Sequence, residues 1–184
     1  MVKVAPVSLG LLLALGVGAC AGGMVGTAYT GSYDPGMLRY ATGKGDMYTQ
    51  IIGNPFDAPK ATVEQAVTSS MYGAHFGEAV RFSTTRNPDN TSPYWVVVMF
   101  NPAPSTTPYN LCQGTAQEDT RIGGTLRVMA VFCAGTDRET SVTGRIARVE
   151  DPGDASLAVL IRQMTAQLFP PRNPDPNGGV DFNT

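Results

Sequence analysis

Apolar positions recur along the chain at two spacings, and the spacings predict the elements. Residues 94–100 (Tyr-Trp-Val-Val-Val-Met-Phe) and 126–133 (Leu-Arg-Val-Met-Ala-Val-Phe-Cys) are almost continuously apolar, β-branched or aromatic. Runs of that length predict central strands covered on both faces. Val80, Phe82 and Thr84 alternate with Arg81 and Ser83, the period of a half-buried strand. Further strands are predicted over 46–52 and 141–149, with 37–42 as a candidate partner of 46–52 across Thr42-Gly43-Lys44-Gly45. Gly53-Asn54-Pro55 and Asp151-Pro152-Gly153 stop their strands. Between these runs the period changes. Val63, Ala66, Val67, Met71 and Ala74 fall on one helical face, with Asp57 as N-cap, Pro59 in the first turn, and Gly73 and Gly77 bracketing the end. Leu157, Leu160, Ile161, Met164 and Leu168 make a second helical stripe over 155–168, capped by Asp154. Residues 101–124 remain as a loop rich in Pro and Thr, longer than the roughly 12–15 residues usual for a connection. The element order β-α-β-β-β-α predicts an α+β fold: a mostly antiparallel sheet of four to five strands with two helices packed on one face.

The first 20 residues follow another pattern. Lys3 is followed by an uncharged stretch, Val4 to Ala19, with an apolar core at Leu9 to Leu15. A charged start, a short apolar core and small residues at its end form a secretory signal. The core is too short to span a bilayer of ~30 Å, which takes about 20 residues. It ends in Val17-Gly18-Ala19-Cys20, which resembles the lipobox of bacterial lipoproteins. The resemblance implies cleavage before Cys20, a diacylglyceryl group on its thiol, and membrane attachment through that lipid. Two acyl chains, at roughly 0.8 kcal/mol per buried CH₂, make such an anchor stable. Ala21 in place of Asp resembles lipoproteins passed to the outer membrane, facing the periplasm. An ordinary signal peptide cut after Ala21 is the alternative these residues allow. The chain is also similar in character to uncharacterised envelope lipoproteins of proteobacteria. Its element order resembles that of small lipoproteins assisting lipid or lipopolysaccharide transport, a likeness that carries over no site residue.

The implied organisation is a signal peptide at 1–19, a lipidated cysteine with a flexible Gly-rich tether at 20–36, one α+β domain at 37–169, and a disordered tail at 170–184. That tail carries four prolines and Gly178-Gly179. Losing Lys3 with the leader lowers the 13 basic residues to 12, against 15 acidic ones. A weakly acidic chain of this kind offers no basic face to nucleic acid. Two cysteines remain beside Cys20. Cys112 and Cys133 read either as a disulfide of an oxidising compartment or as two separate buried thiols.

Candidate chemistry is sparse. His75 is the one histidine, so a Ser or Cys nucleophile has a single imidazole to call on; it reads as a cap or surface residue. One His and two Cys without ligand spacing do not compose a zinc site. Gly43-Lys44 lacks the earlier Gly and the following Ser or Thr of a phosphate loop, and reads as a turn. Acids Glu118, Asp119, Asp137, Glu139, Glu150, Asp151 and Asp154 fall on predicted loops. Tyr94 and Trp95 read as packing residues rather than a sugar platform. No catalytic residue, cofactor or metal ligand is assigned. The reading is a non-enzymatic envelope lipoprotein binding a protein partner or an envelope lipid. The alternatives are an envelope hydrolase using paired carboxylates and a tethered domain docking through 101–124.

Overall fold

The two apolar runs lie side by side in the middle of a sheet. The computed structural model describes residues 23–75, 77, 79–121 and 123–172. In chain order the elements are β1 (Met24–Thr30), α1 (Pro35–Thr42), β2 (Met47–Ile52), α2 (Lys60–Met71), β3 (Phe82–Ser83), β4 (Tyr94–Phe100), α3 (Pro108–Gln113), β5 (Thr125–Ala134), β6 (Asp137–Ala147) and α4 (Ala155–Leu168). They build a six-stranded sheet in the order β1-β6-β5-β4-β2-β3. β1, β6, β5 and β4 pair antiparallel, whereas β4 with β2 and β2 with β3 pair parallel.

The fold is α+β as expected, but the mostly antiparallel sheet of four to five strands with two helices is corrected: the sheet is mixed and, among the described residues, four helices accompany it. The cause of the mixture is α2. Following β2, it carries the chain back along the sheet, so β3 and β4 start from the same end as β2, as a crossover helix requires of parallel strands.

One face of the sheet, with Val96, Val98 and Phe100, Val128, Ala130 and Phe132, and Val142 and Ile146, packs against Leu38 and Ala41 of α1, Val63, Val67 and Met71 of α2, and the α4 stripe. Phe132 is fully buried there, stacked on Tyr94 and edge-on to Tyr33 and Phe169. The opposite face carries a smaller cluster: Val97, Met99, Met129, Val131 and Cys133 under Leu111 and Cys112 of α3. Burial of both faces is what the unbroken apolar runs require.

Several expectations are revised. Residues 24–30, placed within a flexible tether, form edge strand β1 on β6, with a register shift between Val25 and Ala28. The stretch 37–42, offered as a strand, is α1, because Asp34 caps it through the Gly36 N–H and Pro35 supplies the first turn. Pro59 rather than Asp57 precedes α2, the strand at 80–84 shrinks to two residues, and β6 begins four residues early, directly after Gly135-Thr136. α4 starts at its Asp154 cap as expected. The signal at 1–19, Cys20 and residues 173–184 lie outside the described residues. No helix among those described is long and apolar enough to cross a membrane.

Candidate functional site

Because β2 and β4 run parallel, their carboxyl ends reach the same edge of the sheet, the place where open sheets with parallel strands tend to hold ligands. β5 begins and β6 ends at that edge too. Gly53 leaves β2 with φ +83°, and a Cβ there would stand 3.0 Å from the Phe100 carbonyl oxygen. Asn101 leaves β4 with φ +45°, a conformation that Asn tolerates better than most residues. Its N–H donates to the Arg127 carbonyl (2.8 Å), its carbonyl accepts from the Asp119 N–H (2.8 Å), and its Oδ1 accepts from the Arg127 N–H (3.2 Å).

Asn101 and Asp119 thereby close the ends of the segment expected to be a long plain loop. Inside it Ala103 N–H donates to the Gln117 carbonyl, and Thr106 Oγ1 exchanges hydrogen bonds with the Gln117 backbone. α3 follows, opened by a capping box between Thr107 and Asn110 and ended by Gly114 at φ +70°. Cys112 on α3 is disulfide-bonded to Cys133 on β5, which decides between the two readings of the cysteines. The segment is a self-packed loop held to the sheet at three places, not an unstructured connection.

Its closing end walls a cleft of about 400 Å³ lined by Asn54, Asp57, Asn101, Glu118, Arg121 and Arg148, among others. Asp119 sits between two arginines. Arg121 reaches it with Nε (2.8 Å) and a terminal nitrogen (2.9 Å), and Arg127 reaches it at 2.7 Å. The fork-to-fork bonds from Arg121, with Arg127 adding to them, hold the Asp119 carboxyl well below the usual carboxylate range. A carboxylate so held is a fixed charge; a general acid needs its affinity for the proton moved the other way.

A second groove of about 480 Å³ is lined by Pro102, Ala103 and Pro104. Its walls include Met24, Met129, Arg127 and Arg145. Arg127 and Arg145 stand directly opposite each other on β5 and β6, and Met24 faces Arg145 on β1. Opposed like charges on neighbouring strands cost stability. Arg127 is neutralised by Asp119. Arg145 meets no carboxylate among the described residues, and its guanidinium touches Met24 Sδ at 3.8 Å. Further along the same face Arg138 lies between two half-exposed rings, 3.6 Å from Tyr29 and 4.8 Å from Tyr109. Tyr and Arg in such an arrangement are the residue types that anchor protein interfaces.

The other candidates are placed as follows. His75, read as a cap or surface residue, is instead buried, edge-on to Phe82 and Phe169. Tyr94 and Trp95 point to opposite faces: Tyr94 stacks on Phe132, and Trp95 on Tyr48, with its Nε1 donating to the Gly135 carbonyl. Gly43 ends α1 and Lys44 belongs to the turn into β2. Among the acids, Asp154 caps α4, Glu150 pairs with Arg148, and Asp137 and Glu139 belong to β6, not to a loop. Glu139 is buried. No cluster of metal-ligating side chains occurs among the described residues. Sequence reasoning missed Asn101, Arg121, Arg127 and Arg145; a lone Asn directly after an apolar strand is the one local sign of the edge.

No protein-family model matches the chain, and no curated protein matches it. Among solved structures it is similar to the PelC dodecamer from Paraburkholderia phytofirmans, at 15% identity over 82% of this chain and 97% of that one, with a TM-score of 0.38. A point variant of the same dodecamer gives 14% identity with the same coverage and TM-score. A TM-score of 0.38 is too low to transfer subunit arrangement or function.

Proposed function

We propose that the chain is a membrane-anchored lipoprotein of the bacterial envelope, held by lipid on Cys20 at the outer membrane and facing the periplasm. Its folded part binds a protein partner or an envelope lipid and catalyses no reaction. The observation that carries this reading is the order of Lys3, the apolar core Leu9 to Leu15 and Val17-Gly18-Ala19-Cys20. The disulfide between Cys112 and Cys133 supports it, because such bonds persist in oxidising compartments outside the cytosol. Partner binding draws support from the 101–119 segment, whose shape is fixed in advance by the disulfide, the capping box and the Asn101–Asp119 closure. A surface held in its bound shape loses little entropy on association.

The test is the intact mass of the protein from a bacterial membrane fraction, with and without Cys20→Ser. A mass of residues 20–184 plus acyl chains, lost in the variant together with membrane association, is expected. A soluble, unacylated product would overturn the anchor.

A further inference from the structure

We infer that the groove edged by Met24, Pro104 and Arg145 is the face that the domain lays on an anionic phospholipid surface; this rests on the lipid anchor at Cys20. Three observations lead to it. The first is the length of chain between the anchor and the fold. Gly23 packs against Leu160 of α4, and Met24 already belongs to β1. Three residue steps separate Cys20 from Gly23, and a fully extended chain spans about 3.3–3.6 Å per residue. The start of β1 therefore stays within roughly 11 Å of the lipidated cysteine. That reach is close to the Debye length of about 8 Å at physiological salt.

The second observation is what stands at the start of β1. Met24 is 58% exposed and borders the groove. Pro104, which lines the same groove, and Ser105 next to it in the chain are exposed as well. The third is charge. Asp119 is engaged by Arg121 and Arg127, and Arg148 by Glu150, whereas Arg145 has no carboxylate partner among the described residues. Glu118 and Asp119 line the strand-end cleft rather than this groove. An exposed methionine, a proline-lined apolar groove and an uncompensated arginine, all within the anchor's reach, suit a headgroup phosphate with acyl chain beneath it. The far end of the sheet is excluded by distance. The ten residues of β5 at ~3.3 Å each put the Gly135-Thr136 turn about 30 Å from this edge.

The experiment uses the full chain purified from membranes and reconstituted in phosphatidylethanolamine–phosphatidylglycerol vesicles carrying a nitroxide headgroup quencher. A fluorophore is placed on Ser105→Cys or on Thr136→Cys. Both sites are exposed, and Cys112 and Cys133 are already bonded. With acylation confirmed by mass, strong quenching at 105, little at 136, and loss of quenching at 105 in Arg145→Glu are expected. Equal quenching at both sites, or stronger quenching at 136, in acylated protein overturns the orientation while the anchor stands. Quenching at 105 unchanged by Arg145→Glu overturns the role of the arginine. A chain without acyl mass overturns the anchor and this orientation together.

Discussion

Gly144 of β6 lies under Met164 of α4 so closely that a methyl group on its Cα would stand 2.5 Å from the Met164 sulfur. The same methyl would meet Leu160 Cδ1 at 3.0 Å. Both side chains are buried, so neither can swing into solvent. Overfilling a packed interior costs about 1–3 kcal/mol. Gly144→Ala is expected to lose that much in urea denaturation. Met164→Ala alone should lose about 2–5 kcal/mol by leaving a cavity. In the double variant the losses should fall short of the sum, because the new methyl occupies part of the space left behind. Strict additivity would show that the two residues do not share that space.

The bond between Cys112 and Cys133 closes a sequence separation of 21. In the chain-entropy account a loop of this size contributes about 3 kcal/mol. Paired replacement by Ser, or reduction, should lower the unfolding free energy by roughly that amount and loosen α3, which Leu111 and the Tyr109–Arg138 contact also hold to the sheet. Guanidinium titrations with and without reductant measure it. An unchanged midpoint would mean that the capped helix holds its place without the bond.

Asp119 supplies a dependence on acid. Its proton affinity is lowered in the folded state by Arg121 and then Arg127, so the folded chain binds fewer protons there than the unfolded one. Its contribution is present above the unfolded carboxylate value of about 3.9 and is lost as the pH falls below it. Asp119→Asn should therefore be less stable than the parent at pH 6, and the gap should narrow as the pH drops through 4 toward 2. Thermal melts across that range test the sign; a gap that widens in acid would refute it.

Tyr33 works in the opposite sense. It is 2% exposed, and burial, with the charge of Asp34 adding to it, pushes its phenol up from 10.0 to about 12. The folded state prefers the neutral phenol, so stability is intact below pH 10 and declines as the pH rises from there toward 12. Tyr33→Phe should flatten the decline between pH 10 and 11.5. Absorbance of the phenolate near 295 nm, followed alongside urea midpoints, separates this residue from the other tyrosines. An alkaline decline of equal slope in the variant would place its origin elsewhere.

The strands β4 and β5 and the helix α4 were legible because local pattern and burial agree: unbroken apolar runs buried on both faces, and an Asp-capped stripe. β1 was hidden for a physical reason. Its Gly26 comes so close to Thr143 that a Cβ would stand 2.6 Å from the hydroxyl oxygen, so glycine that looks like slack in the sequence answers crowding in the fold. α1 was announced by Asp34-Pro35, a cap followed by a first-turn proline, which the hairpin-like turn Thr42-Gly43-Lys44-Gly45 masked. α3 carried the same kind of sign in Thr107-Pro108 and Gly114. The parallel pairing was implicit in a strand, a helix and a strand in succession. At the candidate site, Asp119 gave no local signal, since its two arginines follow at two and eight residues and only the closure at Asn101 brings all three together.

The register shift in β1 bears on crowding. An open sheet ends in two strands with one side unpaired, and a long regular edge invites another chain to continue the ladder. Here β3 offers two residues, and β1 breaks its own rhythm between Val25 and Ala28. Neither border presents an even row of amide and carbonyl groups. Copies of the domain that meet edge to edge therefore find no regular ladder to continue into a shared sheet.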